Sequence, residues 1–66
     1  MFYIVKWKPR GISEAIAFSR RFPSVTEAIL QAFVILDRRP ADIWIEDQAG
    51  VKVVAAAQIA ECCHPV

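Results

Sequence analysis

Apolar and polar positions along this chain follow two rhythms, a helical one in the middle and a strand-like one on either side. From Ser24 to Arg39, SVTEAILQAFVILDRR, the residues Val25, Ala28, Ile29, Ala32, Phe33 and Leu36 recur at helical spacing and make one apolar face. Ser24 stands at the N-cap and Glu27 follows three residues later, the S-x-x-E capping box. Pro23 lies just ahead, where it removes no helical hydrogen bond. Asp37, Arg38, Arg39 and Pro40 end the run: the arginines suit the negative end of the macrodipole, and a residue before proline leaves the helical region. Ile29, Phe33 and Leu36 are expected to be buried. Leu30 and Val34 fall on the opposite side with Glu27, Gln31 and Arg38, where a helix covering a sheet should be polar. Single surface aliphatics are common; a second, narrower contact stripe is the sharper reading.

Phe2 to Lys8, FYIVKWK, is rich in aromatic and β-branched residues and reads as a strand. Lys8-Pro9-Arg10-Gly11 fits a type I turn with proline second and glycine fourth. Ile12 to Arg20 reads as the second strand of an antiparallel hairpin, although Glu14, Ala15 and Ala17 are weak strand formers. A regular turn sets Tyr3, Val5 and Trp7 on one face with Ile12, Glu14, Ile16 and Phe18. After the helix, Asp42 to Glu46 alternates strictly, Asp47-Gln48-Ala49-Gly50 is a turn, and Val51 to Val54 is a fourth strand. Pairing across that turn puts Ile43, Ile45, Lys52 and Val54 on one face and Trp44, Glu46, Val51 and Val53 on the other. A bulge at Gly50 or a one-residue slip exchanges these faces. Ala55 to Cys62 favours a short helix by propensity, with Ala55, Ile59 and Cys62 on one face, and extension of the fourth strand is the competing reading.

These elements predict a single small α+β domain, residues 1–66, of plan β-β-α-β-β. A helix between the second and third strands makes those two parallel. An all-antiparallel four-stranded sheet then requires the first strand between them, which gives order 2-1-3-4 with a right-handed crossover. One main helix covers one face, and a short C-terminal helix follows the sheet. The far face keeps large apolar groups whichever way each hairpin turns, whereas a solvated face should be polar. A second copy is the expected cover. The run FPSVTEAILQAF through IWIEDQAGVKVV, by way of Ser24, Glu27, Ala28, Ile43 to Asp47 and Gly50, resembles very small bacterial proteins of unknown function built on a ββαββ plan. That resemblance implies a fold and carries no catalytic or binding residues.

Composition sharpens the case for self-association. The chain has 66 residues and 56% of them are hydrophobic, above the usual share for a soluble domain. A chain this short buries only about 60% of its unfolded surface, so a homodimer is the simplest way to hide the rest. The longest apolar run, Ala32 to Leu36, falls far short of the roughly 20 residues of a membrane span. The basic residues of MFYIVKWKPR follow its apolar run, the reverse of a signal peptide, so a cytoplasmic location is expected. Net charge is +1 but unevenly spread: five basic residues face one acidic up to Phe22, and three basic face six acidic from Pro23 onward. Such a dipolar chain can orient a partner or a second copy of itself.

Side chains that could carry chemistry are few. In Cys62-Cys63-His64 the adjacent cysteines diverge and miss the C-x₂₋₄-C spacing of zinc sites, and no second cluster completes a tetrahedron. A cytoplasmic chain keeps such cysteines reduced. Glu46 and Asp47 diverge as strand neighbours, and two glycines cannot make a phosphate loop. The reading is therefore non-enzymatic, with no catalytic, cofactor or metal residues. The leading expectation is a homodimeric interaction or accessory module that associates through Trp44, Val51 and Val53 on the open sheet face and secondarily through Leu30 and Val34. The alternative is single-stranded nucleic-acid binding by an aromatic, basic hairpin of Tyr3, Lys6, Trp7, Lys8, Arg10, Arg20 and Arg21, with bases stacked on the aromatics. A near-neutral net charge and the absence of an RNA-binding strand pattern weigh against it.

Overall fold

The computed structural model describes residues 1–62, with side chains up to Glu61. The elements are β1 (Tyr3–Lys8), β2 (Ile16–Ala17), α1 (Val25–Leu36), β3 (Asp42–Asp47), β4 (Lys52–Val54) and α2 (Ala56–Cys62). The sheet is antiparallel in order β2-β1-β3-β4. Fold class, strand order and the short second helix are those the residue pattern predicts. No helix among the described residues is long and apolar enough to cross a membrane.

β1 and β3 form the sheet's centre, paired along their whole length from Tyr3–Asp47 to Lys8–Asp42. Their register puts Val5 beside Ile45 and Trp7 beside Ile43 on the face that α1 covers. Val5, Ile43 and Ile45 are sealed there with Phe22, Ala28, Ala32, Ile35, Val54 and Ile59. The Ser24 hydroxyl accepts the Glu27 N–H at 3.2 Å and caps α1 as expected. Arg39, in the left-handed region at φ 54°, ends the helical trajectory just before Pro40.

Four local expectations need correction. The buried stripe of α1 is Ala28, Ala32 and Ile35; Phe33 stays 38% exposed, and Ile29 and Leu36 flank the core. The stripe is turned because the core also takes Ile59 from α2, a second cover over the sheet. The hairpin turn spans Pro9–Ile12, with the Ile12 N–H donating to the Pro9 carbonyl at 3.3 Å and Gly11 third at φ 82°. A turn one residue earlier needs the Lys8 carbonyl, and that oxygen accepts from Ala41 N–H at 2.7 Å.

β2 is two residues long rather than nine. Phe18 N–H donates to the Val5 carbonyl, and the next exchange on this edge is between Phe22 and Tyr3. Ser19, Arg20 and Arg21 loop out between them. This lets Phe18 and Phe22 both turn to the core, their ring centroids 5.9 Å apart. The fourth correction is Lys52. A bulge in β4 pairs Ile45 with Val54 and Glu46 with Lys52, leaving Val53 as the extra residue. Lys52 therefore joins Trp44 and Glu46 on the open face.

Candidate functional site: two exposed surfaces and a sealed sheet face

The open face of the sheet is the expected main contact surface, through Trp44, Val51 and Val53. In the structure Trp44 is only 8% exposed, although it lies outside the main core cluster. Its cover comes from its own chain. The indole Nε1–H donates to Glu46 Oε2 at 2.7 Å, the other Glu46 oxygen pairs with the Lys6 ammonium at 3.0 Å, and the Lys52 ammonium sits 5.0 Å from the centre of the indole ring. The indole hydrogen bond holds the Glu46 carboxyl below the usual carboxylate range; partial burial opposes this, and Lys6 and Lys52 reinforce it. One carboxylate thus satisfies a buried donor and anchors a cation, and a second cation closes over the ring.

Val51 and Val53 remain 57% and 39% exposed beside this network. They sit at the β4 edge, which is three residues long and bulged; the opposite edge, β2, has two residues. Short, bulged edges are poor templates for strand addition.

The outer side of α1 is different. Of its twelve residues, VTEAILQAFVIL, only Thr26, Glu27 and Gln31 are polar. Leu30 and Val34 are each 62% exposed, and Phe33 widens their stripe. Leu30, Val34, Glu27 and Gln31 form one side of a shallow groove of about 270 Å³, closed by Arg20 and Phe22. A helix apolar nearly all round is normally covered nearly all round.

The residues of the nucleic-acid alternative do not form one surface. Tyr3 and Trp7 are half-buried on the helix-side face, and Trp7 packs on Phe18 at 6.3 Å between ring centroids. Lys6 lies on the other face, engaged with Glu46, and Lys8 shares that face by strand alternation. The Arg20 and Arg21 guanidiniums sit over the Phe22 and Phe2 rings, at 5.7 and 4.6 Å. Arg10 is drawn to the far end of the sheet, where its Nε–H donates to the Arg39 carbonyl at 3.0 Å.

That contact closes a cleft unanticipated from the residue pattern. Its volume is about 550 Å³, its walls are Trp7, Pro9, Ile16 and Pro40, and its rim carries Arg10, Arg38 and Arg39. The signal for it lay in the topology. Once β1 and β3 are antiparallel neighbours, Pro9 and Arg10 after the first must lie beside Arg38 to Pro40 before the second. Among the described residues no group of three or more His, Cys, Asp or Glu is placed to hold a metal ion. The Cys62, Cys63 and His64 side chains lie outside the described residues. No family model, curated protein or solved structure matches the chain.

Proposed function

We propose that the protein is a non-enzymatic interaction module of the cytoplasm that works as a homodimer, and that its principal contact is the outer stripe of α1. The observation that carries this reading is the exposure of Leu30 and Val34, 62% each, on a helix with three polar residues in twelve. The covered state of Trp44 and the short sheet edges turn the association from the sheet toward the helix.

A second copy fits the stripe by its apolar surface. A twofold axis midway between Leu30 and Val34 runs the two helices antiparallel. Leu30 of each copy then lies on the partner's Val34. Each copy contributes the same patch, the signature of an isologous contact.

Sedimentation equilibrium across roughly 1–100 μM, the range of a modest interface, tests this. The expected mass is twice the 7.4 kDa of one chain, falling to 7.4 kDa in Leu30→Glu. A well-folded monomer across the whole range overturns the proposal.

A further inference from the structure

The cleft at the C-terminal end of α1 has the chemistry of a binding site that the dimer contact does not use. We infer that it binds a nucleoside monophosphate, with the phosphate on the Arg10, Arg38 and Arg39 rim and the base against the Trp7 wall.

Charge comes first. Three guanidiniums border one opening, and none of the described residues lining it is acidic. The single ion pair among the described residues is Lys6 with Glu46 on the other face of the sheet, and none of the three arginines makes one. The C-terminus of α1 supplies only about half a negative charge against three positive ones. Like charges gathered without a counter-charge repel, and a dianion is the ligand that relieves this. A carboxylate satisfies one fork; a phosphate has acceptors for several.

The arrangement is also built rather than accidental. Arg10 is tethered through its Nε to the Arg39 carbonyl at 3.0 Å, which leaves the two terminal nitrogens of its fork free to face a ligand. Arg39 itself is held at φ 54°, a left-handed backbone that a non-glycine residue seldom adopts. One arginine positions another across 29 residues of sequence.

The walls decide what the phosphate is attached to. Trp7, Pro9, Ile16 and Pro40 are flat or aliphatic and offer no side-chain hydrogen-bond acceptor. A bare sugar phosphate leaves its hydroxyls unmatched there. A planar base buries its faces instead by stacking on the aromatic wall. A volume of about 550 Å³ lies within the range of small-ligand sites. The Trp7 ring packs against Phe18, with the ring centroids 6.3 Å apart and the planes tilted by 52°.

The test is an NMR titration of the ¹⁵N-labelled full chain with adenosine monophosphate, adenosine and inorganic phosphate in parallel. The Trp7 indole signal, assigned with Trp7→Phe, and the amides of Arg10 and Arg39 should move together with adenosine monophosphate. Its affinity should exceed that of adenosine and of phosphate by about tenfold or more. Arg10→Gln and Arg39→Gln should each weaken it by about tenfold, equal to 1.4 kcal/mol, with the remaining spectrum showing that both variants stay folded. The inference is overturned if the nucleotide binds no tighter than phosphate, if the shifts centre on Arg20 and Arg21, or if neither substitution weakens binding.

Discussion

Replacing Glu46 with alanine tests the claim that the chain seals its own sheet face. The side chain is 15% exposed and makes two contacts, one to a buried donor and one to a half-exposed cation. A hydrogen bond to a charged acceptor contributes about 1.5–3 kcal/mol. The pair with Lys6, whose side chain is 32% exposed, adds roughly 0.5 kcal/mol after solvent screening. Glu46→Ala should therefore cost about 2 kcal/mol near neutral pH. For a domain of this size that lowers Tm by roughly 8–16 °C.

The same substitution has a signature in pH that a simple packing loss lacks. An unfolded glutamate titrates near about 4.3. In the folded chain the Trp44 indole N–H, more than Lys6, holds Glu46 below its ordinary value. A lowered folded value means that the stabilisation is complete above the unfolded value and is lost as pH falls through the folded one. The difference between the parent and Glu46→Ala should thus be full at pH 7 and shrink below about pH 4. Other carboxylates titrate in both proteins and cancel. Urea unfolding followed by circular dichroism from neutral to acid pH reads this directly. Glu46→Gln, which keeps an acceptor and loses the charge, should fall between the two, and its difference from Glu46→Ala should change little with pH. A Glu46→Ala difference that is absent at pH 7, or that stays constant into acid, refutes the network as described.

Two further substitutions probe the frame. Ile59→Ala empties a fully buried position on α2 and should cost about 2–5 kcal/mol; an unchanged urea midpoint shows that α2 is no part of the core. Gly50→Ala meets no atom within 4 Å, so its cost is that of the φ 84° backbone alone, about 1–2 kcal/mol by thermal unfolding.

The elements that local pattern fixes were legible. Ser24 with Glu27 marks a helix start regardless of what the helix packs on, and the DIWIE alternation needs only the pleat to be read as a strand. The antiparallel order followed from one constraint, the helix between β2 and β3. What escaped depends on partners distant in sequence. Phe33 and Ile35 are equally apolar neighbours, and α2 decides which turns inward. Lys52 changes face because Val53 is an extra residue in β4, and periodicity cannot announce that. Trp44 looked bare because its cover, Lys6, Glu46 and Lys52, comes from three strands. The cleft was missed for the same reason: Arg10 and Arg39 meet only after β1 and β3 have paired.

These misses bear on where the chain spends its apolar surface. A sheet face with a tryptophan at its centre looked like the natural dimer surface, and it is the one the chain closes for itself with charged side chains. Those same charges resist a second sheet. Burying Lys6, Glu46 and Lys52 against another copy means desolvating three ionic groups, a cost that a dimer's apolar gain must first offset. The outer face of α1 carries no such obstacle, since its centre is aliphatic and its charges stand at the ends. The helix packs on the sheet through Ala28, Ala32 and Ile35, which leaves Leu30 and Val34 exposed on its outer side, where a second helix can reach them. The asymmetry between the two faces, polar cover on the sheet and bare aliphatics on the helix, is the reason the helix is assigned the partner.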